Sequence, residues 1–259
     1  LAASAQKKFS VYAVGFYNQE NLFDTCHDEG KKDYEYLPNK GWNGMKYTNK
    51  LRNMSKALAD MGTDVLPNVG CAFIGLYEVE NHKVLDALVD QAPLKARNMK
   101  YVHIEGPDRR GIDCALLYNP SLFSVKNVKL LPYVQELAKD SAFFTRGFLT
   151  VRGEMAGDDV AVIVCHWPSR FSGPFYRESA ARQVKVIKDS LLNVNQEMKI
   201  FVMGDMNDDP VNKSMHVYLQ AKPEISQVGA GDMYNPWYNV LAKEGKGTLF
   251  YSGNWNLFD

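Results

Sequence analysis

Four segments of this chain close an apolar run with hard oxygen or imidazole donors. Asn18-Gln19-Glu20-Asn21 follows Phe9–Tyr17, and Glu78-Val79-Glu80-Asn81 follows Ala72–Tyr77. His166-Trp167-Pro168-Ser169-Arg170 follows Val160–Cys165, and Gly204-Asp205-Met206-Asn207-Asp208-Asp209 follows Lys199–Met203. Each has a plain reading by itself. Asp, Asn and Pro make turns for backbone reasons, a Glu past a strand can simply be solvated, and a His-Trp pair can be packed core. Four unrelated turns need not all carry metal-type donors, however, and strand ends are where α/β folds place ligands. Carboxylates and carboxamides without clustered Cys or His form the donor set that Mg²⁺ or Mn²⁺ prefers.

Arginines accompany these donors. Asp108-Arg109-Arg110-Gly111-Ile112-Asp113 leads into an apolar run, and Arg170 follows His166 by four positions. A guanidinium fork matches phosphate oxygens in a bidentate way. Arg109 reads as a solvated surface group, and Arg110 and Arg170 as phosphate-binding candidates. A hard cation, an imidazole and arginines converging on one cleft describe phosphoryl chemistry. Other chemistries lack their signatures: there is no HExxH or Cys–His grouping at zinc spacing, no GxSxG elbow and no P-loop. Gly229-Ala230-Gly231 follows no clear strand and reads as a loop.

The elements that must position these residues follow from periodicity. Phe9–Tyr17 and Ala72–Tyr77 read as strands, rich in aromatic and β-branched residues. Leu51, Met54, Leu58 and Met61 recur at helical steps within 46–61, and residues 81–91 read as a second helix. A β-rich middle follows: Tyr101–Ile104, Ile112–Tyr118, Phe123–Leu131, Phe144–Gly153 and Val160–Cys165. Ala180, Val184, Ile187 and Leu191 mark a long helix, and Lys199–Met203 another buried strand. This is neither strict βαβ alternation nor an all-β pattern. It suits an α+β fold of two packed sheets with helices outside.

The chain has 259 residues, 46% hydrophobic and 23% charged, enough for one large domain with its own core. Thirty basic residues balance thirty acidic ones, which argues against a protein that coats nucleic acid nonspecifically; a local basic cleft is still allowed. Cys26, Cys71, Cys114 and Cys165 show no paired spacing and read as free thiols, three of them in or beside strands. No apolar run approaches the roughly 20 residues of a membrane span, so no membrane anchor is expected. Ala3-Ser4-Ala5-Gln6 fits a secretory cleavage site. Residues 1–8 are therefore read as a leader remnant, 9–259 as the domain, and the location as exported. The expected partner is a phosphate-ester substrate, nucleic acid among the options, bound by a monomer.

In order along nearly the whole chain, these motifs resemble the endonuclease/exonuclease/phosphatase (DNase I-like) superfamily. Tyr17-Asn18-Gln19-Glu20 is similar to its W-N-x-D/N opening, Gly75-Leu76-Tyr77-Glu78 to its L-Q-E segment with Tyr77 in place of Gln, and Gly204-Asp205-Met206-Asn207 to its G-D-x-N signature. His166 falls where several branches carry a histidine. The phrases around Glu80, Arg110 and Trp167 resemble a bacterial, often exported branch. The resemblance implies a four-layer α/β/β/α sandwich of two mixed sheets. It implies Glu78 as main Mg²⁺ (or Mn²⁺) ligand with Asn18 and Glu20 helping, and Asp205 orienting or deprotonating the attacking water. Asn207 would hold that water and the phosphate, His166 would stabilise the phosphate or the leaving oxygen, and Asp113 and Asp259 would lie at the edge. The implied activity is nuclease-like hydrolysis; a phosphatase or phospholipase C-type enzyme and a non-catalytic phospholigand-binding member are the alternatives. One departure stands out. The family closes with an S-D-H strand, whereas this sequence stops at Trp255-Asn256-Leu257-Phe258-Asp259. A truncated chain lacking its terminal strands and closing Asp-His pair is expected, the alternative being an inactive member.

Overall fold

A computed structural model describes residues 10–136, 143 and 145–259. The leader expected over 1–8, and Phe9 and Phe144 as strand starts, lie outside the described residues.

The first sheet is built around β2 (Cys71–Val79), a run of apolar residues buried on both faces, as expected of a strand between layers. β1 (Ala13–Leu22) lies parallel to it on one side, and β4 (Asp113–Tyr118) antiparallel on the other, with β3 (Lys100–His103) beyond. The second sheet runs β5 (Ser124–Leu131), β6 (Phe148–Met155), β7 (Asp158–His166) and β8 (Lys199–Asp205), antiparallel except for the β7–β8 pair. Parallel neighbours need long crossovers. Here α1 (Gly44–Asp60) lies between β1 and β2, and α4 (Pro174–Val194) between β7 and β8. α2 (His82–Val89) and α3 (Ala92–Ala96) complete the outer layer of the first sheet.

Three apolar seams join four layers. Ile74, Leu76, Ala115 and Leu117 face Leu51, Leu58, Val84, Leu85 and Leu88 from the helices. Phe73, Tyr77, Leu116 and Phe123 meet Leu149, Val162, Val164 and Met203 between the sheets. Ile163, Cys165 and Trp167 pack on Ala180, Ala181 and Val184 of α4. A Cβ at Gly75 would sit 2.8 Å from the Met203 sulfur, so glycine there lets the sheets close. The α/β/β/α sandwich is thus the expected one, and within β2 Phe73 and Tyr77 point between the sheets while Ile74 and Leu76 point toward the helices.

Helix boundaries follow their caps. The Asn43 side chain accepts from Lys46 N to start α1, and Asn81 accepts from Lys83 N and Val84 N to start α2. The first strand departs from expectation. It begins at Ala13 and runs through Asn18–Asn21 instead of ending before them. Cys71, Cys114 and Cys165 are buried and Cys26 is exposed, all four as free thiols. Among the described residues, no helix is long and apolar enough to cross a membrane.

Candidate functional site

Because β1 and β2 run parallel, as do β7 and β8, the C-terminal ends of two strands in each sheet can meet at one end of the sandwich. The pairing then breaks where the donors sit. Asn18 is opposite Tyr77 and the next pair is Leu22 with Val79, so three residues of β1 face Glu78 alone. On its other side β2 pairs Tyr77 with Cys114 and Val79 with Asp113, leaving Glu78 unpaired again. These are β-bulges, which re-aim side chains at the cost of ladder bonds. Glu20, Asn21 and Glu78 take φ of 48°, 60° and 60°, and Asn207 takes 51°. Side chains rarely adopt this left-handed region, and strain of that kind concentrates at functional sites.

The bulges are held in place by named contacts. Asn21 N donates to Glu78 Oε2 at 2.9 Å, and Glu20 N donates to Asn18 Oδ1 at 2.7 Å. A side-chain hydrogen bond also joins Asn18 to the Glu78 carboxylate. Lys50, from α1, donates to Glu20 O and, at 3.3 Å, to Asn21 O. In the second sheet, His166 and Asp205 are direct neighbours in register. Their backbone geometry requires Gly204, whose φ is 128° and whose Cβ would lie 1.9 Å from Cys165 O. Asp205 Oδ1 accepts from Asn207 N at 2.7 Å, and Asn207 Nδ2 donates to Trp167 O at 3.1 Å.

The two bulged sheets bring Glu78, His166 and Asp205 together, with one donor atom from each lying within 4.8 Å of the others. His166 Nε2 is 3.9 Å from Glu78 Oε1 and 3.7 Å from Asp205 Oδ2. These separations are too long for good hydrogen bonds, and short enough for the three atoms to share one ion. Burial decides the charges. It raises the Glu78 carboxyl above its usual range against the pull of Asn21, Arg110 and Arg146. It pushes Asp205 up to about 7, aided by the negative charge of Asp259. It holds His166 well below the usual imidazole value, with the Arg146 and Arg110 charges acting in the same direction. His166 is therefore neutral, and its Nδ1 is buried without a hydrogen-bond partner. Two carboxylates and a neutral imidazole, none satisfied by the others, fit a divalent cation.

Three expected site residues are placed elsewhere. Glu20 is exposed and does not join the Glu78 group; its bulge turns the side chain outward, and Lys50 feels its charge. Arg170 is spent on protein partners: Asp209 Oδ2 at 2.9 Å, Asn256 Oδ1 and Asn207 O both at 3.2 Å, and the Phe258 ring at 4.2 Å. It clasps the 207–212 loop to the C-terminal segment instead of offering a free fork. Asp113 accepts from His103 Nε2 at 3.0 Å and from Gly106 N at 2.9 Å, which ties down the segment before β4. Arg110 keeps an exposed side chain, at 52%, beside Asp108, and its charge reaches both Glu78 and His166. Asp259 accepts from Tyr77 Oη at 2.6 Å, and the Tyr77 ring stands edge-on to His166.

Sequence reasoning missed Arg146 and Lys50. Arg146 is buried, donating to Asp108 Oδ2 at 2.9 Å and Trp167 O at 3.0 Å, and its charge acts on Glu78, His166 and Asp205. Nothing in Thr145-Arg146-Gly147 separates it from a surface arginine. Lys50 sits in the helix beside Leu51 and one turn before Met54; only that step of four from Met54 could have hinted at the sheet's edge.

Known structures share this arrangement of layers. A humanised zebrafish (D. rerio) TDP2 superposes with a TM-score of 0.51 at 12% identity, covering 92% of this chain and 75% of that one. ANGEL2, described as a 2′,3′-cyclic phosphatase, gives 0.54 at 14%, covering 86% of this chain and 60% of its own. Sphingomyelinase C from Streptomyces griseocarneus gives 0.50 at 18%, covering 67% and 64%. The chain thus spans less than two thirds of the last two, and at these identities the likeness is one of fold. Among curated proteins, none matches by sequence. A family model, however, matches residues 13–259, and the chain belongs to the Endonuclease/Exonuclease/phosphatase family, whose members hydrolyse phosphate esters.

Proposed function

We propose that this chain hydrolyses phosphate esters, phosphodiesters in a nuclease-like manner first, by in-line attack of water at a Mg²⁺ or Mn²⁺ site. The convergence of Glu78, His166 and Asp205 within 4.8 Å carries this reading. Glu78, steadied by Asn18 and the Asn21 amide, would hold the ion together with His166 and Asp205. The bound ion supplies neutralisation of charge on the phosphate and the leaving oxygen. Asp205, its charged form favoured once the ion is bound, would orient the attacking water and accept its proton. His166, kept neutral, would offer its Nε2 lone pair to the ion without adding a competing positive charge. Arg110, whose side chain is exposed, would bind phosphate oxygens, and Arg146 would support the site electrostatically. Asn207, fixed by Trp167 O, is placed to orient the water through the Asp205 turn.

The test is a substrate panel of plasmid DNA, RNA, bis-p-nitrophenyl phosphate, 2′,3′-cyclic nucleotides, inositol phosphates and sphingomyelin, each with Mg²⁺, Mn²⁺ or chelator. Cation-dependent turnover of at least one member is expected, falling by about 10³-fold or more in Glu78→Gln, in line with other preorganised charge groups. Undiminished turnover in Glu78→Gln, or full activity in chelator, would sink the proposal. Nucleic acid as substrate predicts steep loss of binding with salt, whereas a small phosphate ester predicts little.

A further inference from the structure

One buried carboxylate outside the Glu78 group touches two arginines, Arg110 and Arg146, whose charges reach Glu78 and His166. Asp108, 5% exposed, lies in the turn that precedes β4. Its Oδ1 accepts from Arg110 N at 2.8 Å, and its carbonyl accepts from Gly111 N at 3.1 Å. Asp suits the first position of such a turn because its side chain bonds the backbone two residues on. Gly111, at φ 78°, takes the left-handed conformation that ends it. Lys32 N donates to Arg109 O at 2.7 Å and fastens the turn to the neighbouring loop. The turn thereby presents Arg110 with an exposed side chain, its Nε 3.6 Å from an Asp108 oxygen.

The other oxygen of the same carboxylate faces the second sheet. Asp108 Oδ2 accepts from Arg146 Nη1 at 2.9 Å, and Arg146 Nη2 donates onward to Trp167 O at 3.0 Å. Trp167 O also accepts from Asn207 Nδ2 at 3.1 Å. A chain of hydrogen bonds therefore runs from the Arg110 turn, before β4, to the loop after β8. We propose that Asp108 is the positioning residue of phosphate binding. Its Oδ1 sets the turn that presents Arg110 and its Oδ2 fixes Arg146, so that both guanidinium groups are held beside the Glu78–His166–Asp205 group as one unit. This rests on the phosphoesterase reading above. The residue type is dictated by the two partners. Both are donors, so the group between them must offer two acceptor oxygens. An amide has one, and the Arg146 charge would claim it, turning the amide NH₂ against Arg110 N, donor against donor. Asp108 also supplies the countercharge without which Arg146, 7% exposed, would be a buried and unpaired cation.

The experiment uses the full chain in saturating Mg²⁺ with inorganic phosphate as probe. Binding is read by isothermal titration calorimetry and by competitive inhibition of bis-p-nitrophenyl phosphate turnover. Asp108→Asn and Arg110→Gln are made singly and together. Arg110→Gln is expected to weaken phosphate by about 10–100-fold, the range of a hydrogen bond between charged groups. Asp108→Asn alone should weaken it by about 10-fold, and by less than about 2-fold once Arg110 is gone, because its effect runs through that side chain. A merely structural Asp108 lowers Tm without this coupling. An unchanged phosphate Kd in Asp108→Asn, or one equal factor in both backgrounds, therefore overturns the proposal. Should Asp108→Asn give little folded protein, Asp108→Asn/Arg146→Met and Asp108→Ala/Arg146→Met form the comparison, both without the buried charge. With Arg146 gone the amide oxygen can accept from Arg110 N, so the first is expected to bind phosphate about 10-fold more tightly than the second; equal Kd overturns the proposal. A parent that binds no phosphate and hydrolyses nothing sinks the phosphoesterase reading and this inference with it. A parent that does both without the coupling sinks this inference alone.

Discussion

Replacing Asp205 with Asn separates what this site does for chemistry from what it costs the fold. In the folded chain, burial and the charge of Asp259 lift the Asp205 carboxyl from its ordinary 3.8 to about 7. Between those values the folded protein holds a proton that the unfolded chain has released, so stability falls as pH rises through this window. The penalty is absent below about pH 4 and complete above about pH 7. At about 1.4 kcal/mol per unit, the shift corresponds to roughly 4 kcal/mol, an upper figure for a group coupled to Glu78 and Asp259. The amide keeps the acceptor that Asp205 Oδ1 offers Asn207 N, so the substitution removes the charge without orphaning that donor. In chelator at pH 8, Asp205→Asn is expected to melt above the parent by up to about 8–16 °C, at about 2–4 °C per kcal/mol for a chain of this size. At pH 4 the two should melt together. With saturating Mg²⁺ the gap at pH 8 should shrink or reverse, because the ion stabilises only the parent's carboxylate. The same variant should lose phosphoesterase activity by about 10³-fold. Thermal melts at pH 4, 6 and 8, with and without chelator, suffice. A gap independent of pH, or a variant less stable than the parent at pH 8, would refute the electrostatic account of Asp205.

Other substitutions probe the support of the site. Arg146→Met takes from buried Asp108 its guanidinium partner and leaves Trp167 O with Asn207 as its donor; a loss of about 3–5 kcal/mol is expected, read by urea denaturation. Lys50→Met unfastens the Glu20 and Asn21 carbonyls and should lower kcat with a smaller effect on Tm, since the helix face is otherwise kept. Gly204→Ala, with a Cβ 1.9 Å from Cys165 O, should cost several kcal/mol and give little folded protein; wild-type melting in this variant would contradict the required backbone approach. Of the four thiols, Cys26 alone is exposed, so a thiol reagent should modify one cysteine rapidly in the native protein and four after denaturation.

The layers were legible in the sequence because burial writes itself into periodicity. Ile74 and Leu76 against helices, Phe73 and Tyr77 against the second sheet, and the stripe Leu51, Leu58 on α1 all follow from repeats of 2 and 3.6 residues. Glu78, His166 and Asp205 were legible too, since each breaks an apolar run with a donor that such a run has no reason to carry. What periodicity cannot encode is where a strand gives up its register. Asn18 and Glu20 are two apart and read as sharing a face, yet the bulge between Asn18 and Leu22 sends Glu20 into solvent and leaves Asn18 on Glu78. Similarly, nothing in the spacing of Arg146 and Arg170 distinguishes them. Their environments do: Arg146 is buried between Asp108 and Trp167, whereas Arg170 is consumed by Asp209, Asn256 and the Phe258 ring. The donor types of a site are thus a local property of sequence. The selection among those donors is made by two coincident bulges, held by Lys50 and by the Asn21 amide, and these depend on contacts between residues 29 and 57 positions apart.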